Sequence, residues 1–142
     1  METPFMKKTT LTLGFTLAIG ITLGALGATA LHAQGEGFKR TMLQKIDLTG
    51  VPGREVVVEL AEIAPGVSAG KHRHNATEIG YVVEGSGVLM VDGEAPRPFK
   101  TGDSYHIAFG KPHDATNTGT TPLKVFVVWV AEKGKRLAVP VK

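Results

Sequence analysis

The chain contains no cysteine among its 142 residues. Disulfide bonds are therefore excluded, and so is any metal site built from thiolate ligands. Aromatic residues make up only 6% of the chain, and the formal net charge at neutral pH is +3. Because this charge is small and scattered, the composition does not indicate a nucleic-acid-binding protein. No internal repeat is visible, so we expect one small domain that its hydrophobic core can stabilise without covalent cross-links.

The first thirty-odd residues are typical of a secretory signal peptide. Lys7 and Lys8 form a short positive region, and the segment 11–31 then runs without a charged residue. Small residues surround Ala30 and Ala33, and we expect cleavage after one of these two alanines. The stretch MKKTT, which begins at Met6, is itself a typical start, so Met6 is a second candidate for the initiating residue.

This leader predicts an exported protein, periplasmic or secreted, that has no membrane contact once the leader is cleaved. An uncleaved anchor is the alternative, since about 20 apolar residues suffice to span a bilayer. The leader carries no paired arginines, so the twin-arginine route is not indicated. The expected organisation is a signal peptide at 1–33, a linker or arm at 34–53, a folded domain at 54–131 and a tail at 132–142.

The folded domain has the pattern of an all-β protein. Short apolar runs recur every 8 to 12 residues, and eighteen glycines and eight prolines would interrupt long helices. This pattern predicts a β-sandwich or β-barrel. The segment Gly85-Ser86-Gly87 separates two of the runs and predicts a hairpin turn. The predicted strands lie within residues 54–63, 78–84, 87–93, 103–109, 113–117 and 123–130.

Two of the five histidines lie one residue apart, and a glutamate follows four residues later. Residues i and i+2 of a strand share a face, so His72 and His74 can point inward together while Arg73 points away. Glu78 can return to the same pocket from the next strand, and His113 can join it from a distant one. Three imidazoles and a carboxylate suit Fe, Mn, Co, Ni, Cu or Zn. The alternative interpretation is a solvated basic turn.

The spacing of these residues resembles the two sequence motifs of the cupin superfamily. The first motif reads Gly66, five residues, His72-Arg73-His74, three residues, Glu78, six residues and Gly85. After a gap of sixteen residues, the second reads Gly102, five residues, Ala108, one residue, Gly110, two residues, His113, three residues and Asn117. Ala108 is the one departure, because the family usually has proline there. The resemblance covers roughly residues 54–131.

The resemblance implies a cupin jelly-roll barrel of six to eight antiparallel strands with one divalent transition metal in its mouth. The implied ligands are His72, His74, Glu78 and His113, and Asn117 is expected to steady the fold nearby. The metal would be Cu, Zn, Fe, Ni or Mn, and no other cofactor is implied. Family members frequently form dimers, so a homodimer is an expected assembly.

Other residues are weaker candidates for the site. His106 could serve as a general base, and Tyr105 is a second catalytic candidate. Either side chain could equally lie outside the site, since neighbouring strand positions alternate in direction. Tyr81, Phe109 and Phe126 could line a substrate pocket, although an aromatic residue in a small barrel more often belongs to the core. Trp129 is interpreted as a core or dimer-interface residue.

Three functions are compatible with such a site. The first is a metal-dependent dioxygenase that acts on a small enol- or catechol-type substrate and is similar to the quercetin-dioxygenase-like group. The second is a non-redox lyase or isomerase that uses the metal as a Lewis acid. The third is a protein that binds a sugar or another small molecule without turnover. Export favours Cu or Zn, because these metals bind N/O sites more tightly than Fe(II) or Mn(II) do.

Overall fold

The computed structural model describes residues 36–141, so the predicted leader lies outside the described residues. All the regular secondary structure within this range is β-strand. No helix in this part of the chain is long and apolar enough to cross a membrane. The strands are β1 (Phe38–Asp47), β2 (Arg54–Ile63), β3 (His72–His74), β4 (Ala76–Glu84), β5 (Ser86–Val91), β6 (Arg97–Lys100), β7 (Ser104–Ile107), β8 (His113–Asn117), β9 (Leu123–Glu132) and β10 (Ala138–Pro140).

The strands form two five-stranded antiparallel sheets. The first has the order β1-β2-β9-β4-β7, and the second has the order β10-β3-β8-β5-β6. Alternate residues of a strand point to opposite faces, and the burial of β2, β4 and β9 alternates accordingly. The inward side chains of both sheets form one apolar core, whose fully buried members include Val82, Leu123 and Trp129. The prediction of an all-β jelly roll is therefore confirmed.

The domain extends beyond the predicted boundaries of 54–131 at both ends. The predicted arm contains β1, which pairs with β2 from Phe38 opposite Ile63 to Asp47 opposite Glu55. The predicted tail contains β10, which places Ala138 opposite His74. Both strands lie at sheet edges, where β1 is largely exposed and β10 is only partly buried, so their sequences lack the apolar alternation that marks β2 or β9. These two strands, with the short β3 and β6, bring the described total to ten rather than six to eight.

The predicted hairpin at Gly85-Ser86-Gly87 is wrong. Strands β4 and β5 flank this segment, but they belong to different sheets and do not pair with each other. Gly85 has a φ of +83°, and a Cβ at this position would lie 2.5 Å from the carbonyl oxygen of Pro122. The glycine is therefore required at a corner where the chain passes from one sheet to the other.

Candidate metal centre

Three histidines converge between the two sheets. His72 and His74 lie on β3 with buried side chains, while Arg73 between them is partly exposed. His113 on β8 lies directly opposite His72 in the β3–β8 pair. The ligand atoms of the three imidazoles all lie within 4.8 Å of one another. The predicted inward placement of the histidine pair is therefore what the structure shows.

Glu78 reaches the same cluster from the opposite sheet. Its side chain is buried and points inward from β4. The carboxylate Oε2 lies 3.0 Å from His74 Nε2 and 3.3 Å from His113 Nε2. The structure thus brings together all four residues that the sequence motifs singled out, three from one sheet and one from the other.

Each imidazole is oriented by a main-chain carbonyl on its outer side. A carbonyl oxygen can only accept a hydrogen bond, so each Nδ1 carries the hydrogen, and each Nε2 is left to hold a proton or a metal ion. This orientation is the one that metal-ligating histidines in proteins commonly show. The acceptors for His72, His74 and His113 are the carbonyl oxygens of Gly70, Leu137 (3.2 Å) and Lys111 (3.0 Å), respectively.

Burial and mutual contacts set the protonation of the cluster. Burial lowers the pKa of His72 to about 4, so this imidazole is neutral at physiological pH. Burial also lowers the pKa of His74. For Glu78, burial alone would raise the pKa, but hydrogen bonds from His113 and His74 outweigh this effect and hold the pKa well below its usual range. Burial alone would lower the pKa of His113, but its hydrogen bond to Glu78 outweighs this effect and raises the pKa. Metal binds neutral imidazoles and an ionised carboxylate, so His113 would give up its Nε2 proton on binding, and the donor set fits a divalent transition metal.

Two further side chains hold the Glu78 carboxylate in place. The Tyr105 hydroxyl donates to Oε1 over 2.9 Å, and the Trp129 indole Nε1 donates to Oε2 over 3.1 Å. Burial, followed by the charge of Glu78, raises the pKa of Tyr105 well above its usual value, so the phenol remains a donor. Tyr105, one of the two weak catalytic candidates, therefore lies at the cluster and orients the Glu78 carboxylate. Trp129 is buried in the core, which agrees with its interpretation as a core residue, and it also orients Glu78.

Replacing Tyr105 with Phe should weaken metal binding without unfolding the protein. The substitution removes only the hydroxyl that orients Glu78, and the loss of such a supporting hydrogen bond typically costs about 10- to 100-fold in metal affinity. Competition with a chromophoric chelator measures this change. The other tyrosine, Tyr81, is exposed on the outer face of β4, so Tyr81→Phe is the matched control and should leave the affinity unchanged. Equal affinities of Tyr105→Phe and the wild type would exclude the positioning role.

His106 is not brought to the cluster. It lies on β7 between the inward-pointing Tyr105 and Ile107, and its own side chain is exposed. It lines a separate cavity of about 130 Å³ together with Glu94 and Arg97. The aromatic candidates for pocket lining are also exposed, with fractions of 49%, 47% and 39% for Tyr81, Phe109 and Phe126, respectively.

Sequence reasoning missed Arg40, which lies on β1 beside the cluster. Its Nη2 is 3.2 Å from His72 Nε2, and its guanidinium lies 5.0 Å from the ring centroid of Phe38 and 5.8 Å from that of Trp129. The segment 34–53 was interpreted as a linker or arm, so no inward face was expected there. The alternation of Phe38 and Arg40 on one side of β1 is the local signal that could have indicated it.

A small cavity adjoins the cluster. The space beside the cluster that a water-sized group can enter has a volume of about 30 Å³, and the cavity opens toward solvent. Its walls are mainly apolar, and its ionisable lining consists of the four cluster residues, Arg40 and Tyr105. The apolar lining comprises Phe38, Ala61, Ile63, Ala69, Leu89, Ala115, Val125, Val127 and the Trp129 ring.

The two-sheet jelly roll and the buried His₃Glu cluster define a small β-barrel protein with a candidate metal centre between its sheets. The family model described as a cupin domain matches residues 59–129, which is half of the chain. The chain belongs to the cupin family, as the spacing of its motifs predicted.

Auxin-binding protein 1 of Arabidopsis thaliana is 32% identical over 83 residues, which are 53% of this chain and 42% of that protein. The chain therefore spans less than half the length of this curated relative.

Solved structures share the fold. The DMSP lyase DddQ from Ruegeria pomeroyi DSS-3 superposes with a TM-score of 0.61 at 23% identity, covering 82% of this chain and 56% of that one. A Cupin 2 conserved barrel domain protein from Salinispora arenicola CNS-205 superposes with a TM-score of 0.54 at 28% identity, covering 72% and 83%, respectively. These likenesses place the chain among cupin barrels.

Proposed function

We propose that this protein is a metal-dependent enzyme that binds one divalent transition metal through His72, His74, Glu78 and His113. The observation that carries the proposal is the orientation of the three imidazoles, whose Nδ1 atoms face main-chain carbonyls while their Nε2 atoms face one another and the Glu78 carboxylate. A bound ion would polarise a substrate oxygen and, if redox-active, would couple the substrate to molecular oxygen.

The cavity offers no general base outside the cluster. Apart from the four cluster residues, its ionisable lining is a guanidinium, which is a permanent cation, and the Tyr105 phenol, whose pKa burial raises. Neither group is suited to remove a proton at neutral pH. Both a lyase and a dioxygenase acting on an enol must remove a proton from the substrate, so either activity would draw its base from the cluster or from solvent. We favour a dioxygenase because of the resemblance to the quercetin-dioxygenase-like group, with a lyase or isomerase as the second candidate.

The cavity opens toward solvent, so it admits a small enol or one end of a longer one whose remainder lies outside.

Oxygen uptake by reconstituted protein tests this function. The chain would be stripped of metal, reloaded separately with Cu, Fe, Mn, Ni and Zn, and supplied with small enol- and catechol-type compounds in an oxygen electrode. Uptake that requires a redox-active metal supports a dioxygenase. Product formation without oxygen, including by the Zn form, would instead indicate a lyase or isomerase. Saturable ligand binding with no product would indicate a binding protein, the function that the name of Auxin-binding protein 1 suggests for that relative.

We further propose that the protein is a homodimer that associates through the outer face of its first sheet. Ile79, Tyr81, Val83 and Phe126 are each exposed by 39% to 52% on neighbouring strands β4 and β9, and Tyr81 lies directly opposite Phe126. These four residues carry no charge, so two copies of the face could meet without repulsion. Contiguous apolar patches of this kind often mark protein–protein contacts.

A charge placed on this face should separate the dimer. Phe126→Glu would bury a carboxylate in the contact, so we expect a monomer at micromolar concentration in light scattering coupled to size exclusion. The control is Met90→Glu, which adds the same charge at a residue that is 38% exposed on the other sheet. A monomeric wild type, or a dimer that persists in Phe126→Glu, would contradict this assembly.

A further inference from the structure

The cavity that His106 lines lies between the edges of the two sheets. His106 belongs to β7, the edge strand of the first sheet, and Arg97 belongs to β6, the edge strand of the second. Glu94 lies in the turn between β5 and β6. We call this space of about 130 Å³ the edge cavity, and its lining comprises Leu89, Val91, Glu94, Ala95, Arg97 and His106.

The rest of the lining of the edge cavity is apolar. Leu89 and Val91 share one face of β5, and Ala95 lies in the turn that follows this strand. Leu89 is buried in the core and also lines the cavity beside the cluster, so the two cavities adjoin at this side chain. A short apolar group of a ligand can therefore bury its surface against these three residues.

The three polar side chains of the edge cavity are not engaged elsewhere. Within residues 36–141, the side chains of Glu94, Arg97 and His106 form no hydrogen bond or ion pair with another residue. The opposite charges of Glu94 and Arg97 therefore do not pair with each other, although both line the same small space. Each charge is available to a group of opposite sign on a ligand.

The backbone that carries the two charges is fixed by local structure. The Glu94 N–H donates to the carbonyl oxygen of Val91 over 2.9 Å, which closes the turn between β5 and β6. Arg97 lies between Pro96 and Pro98, whose rings restrict the backbone to a narrow range of φ. Because these segments are ordered before a ligand arrives, binding costs less conformational entropy.

A ligand that suits this lining carries both charges. A simple anion would be attracted by Arg97 but repelled by Glu94, and a simple cation would be attracted by Glu94 but repelled by Arg97. A zwitterion satisfies both side chains, because its carboxylate can pair with the guanidinium while its ammonium group pairs with the carboxylate. A cavity of roughly 150 Å³ holds a benzene-sized molecule, so a zwitterion of about six non-hydrogen atoms fits the edge cavity.

We propose that the edge cavity binds a small α-amino acid with a short apolar side chain, such as alanine. Arg97 binds the α-carboxylate, Glu94 binds the α-ammonium group, and a ring nitrogen of His106 offers a further hydrogen bond. This site contains none of the four cluster residues, so the inference does not depend on a bound metal.

NMR titration of ¹⁵N-labelled protein supplied with one equivalent of Zn(II) tests the proposal. The probes are L-alanine, propionate, which lacks the ammonium group, and ethylamine, which lacks the carboxylate. The backbone amides of Glu94 and His106 report binding in the edge cavity, and those of His72 and His113 report any alanine that binds at a metal. We expect alanine to shift the first pair and to bind at least about 10-fold more tightly than either other probe.

Two variants separate the roles of the charges. Arg97→Gln should weaken alanine binding at least about 10-fold and remove the preference for alanine over ethylamine. Glu94→Gln should weaken alanine binding by a similar factor and remove the preference over propionate. Both residues are exposed, so we expect both variants to fold. The matched control is Arg136→Gln, which removes an exposed arginine before β10 and should keep the wild-type affinity.

Three outcomes would overturn the proposal. The first is the absence of shifts at Glu94 and His106 at alanine concentrations up to its solubility limit, including the case in which only His72 and His113 respond. The second is equal affinity for the three probes, which would show that the edge cavity does not recognise a zwitterion. The third is undiminished alanine affinity in Arg97→Gln or Glu94→Gln.

Discussion

His74→Ala should lower the metal affinity of the protein by more than about 100-fold. His74 lies at the centre of the cluster, with its Nε2 3.1 Å from His72 Nε2 and 3.0 Å from Glu78 Oε2. Removal of a supporting hydrogen bond already costs about 10- to 100-fold, and removal of a ligand costs more. The imidazole is 2% exposed, so alanine would leave a buried position without a ligand atom.

The loss of metal affinity can be measured, because a metal that binds more weakly stabilises the folded protein less. At a metal concentration of 100 times the wild-type Kd, binding stabilises the wild type by about 2.7 kcal/mol but a variant with 100-fold weaker binding by only about 0.4 kcal/mol. Thermal unfolding of each protein with and without metal gives this difference and cancels the direct effect of the substitution on the fold. His106→Ala is the matched control, because it removes an exposed histidine that lies outside the cluster. Full metal occupancy in His74→Ala would show that the four residues do not form the site.

Asn117→Ala should destabilise the fold by roughly 3 kcal/mol or more. Asn117 is fully buried at the end of β8. Its Nδ2 donates to the carbonyl oxygens of Ile63 and Thr121, each over 2.8 Å, and its Oδ1 accepts from the backbone N–H of Gly119 over 2.9 Å. The substitution removes the partners of these three main-chain groups at once. The bond to Ile63 is buried, so its unsatisfied carbonyl costs about 1–3 kcal/mol, and the two part-buried bonds contribute about 1 kcal/mol each.

Urea unfolding in the presence of a chelator measures this effect independently of metal binding. Thr118→Ala alters the exposed neighbouring residue and should change the free energy of unfolding by less than about 0.5 kcal/mol. Asn117→Asp retains the acceptor but loses the two donated bonds, so its stability should also fall. A change of less than about 1 kcal/mol in Asn117→Ala would mean that neighbouring groups or water replace the amide.

The cluster and the fold class could largely be predicted from the sequence, because both depend on the spacing of residues that are close in sequence. His72 and His74 share a strand face by simple alternation, and Glu78 follows on the next strand in the same motif. His113 could be suggested only on the expectation that a barrel brings distant strands together, and the resemblance to cupins then implied it as a ligand, because its pairing with His72 joins residues distant in sequence. The alternating apolar pattern likewise predicted strands such as β2 and β9.

The remaining parts of the site depend on contacts that no local pattern encodes. Trp129 donates to Glu78 across 51 residues of sequence, and its apolar surroundings indicated only a buried strand position. Arg40 lies on an edge strand whose remaining residues are mostly exposed, so its segment was interpreted as an arm. Gly85 was interpreted as part of a hairpin because a tight turn and a corner between sheets both favour glycine at positive φ.

The metal content of the full chain, purified from its native source without chelator, tests the central claim most directly. Elemental analysis should find about one equivalent of Cu, Zn, Fe, Ni or Mn per chain, as the three imidazoles and one carboxylate of the cluster require. A redox-active metal would lead directly to the oxygen-uptake experiment, and Zn would favour Lewis-acid chemistry. Protein that contains no transition metal and takes up none when incubated with each of the five would contradict the account.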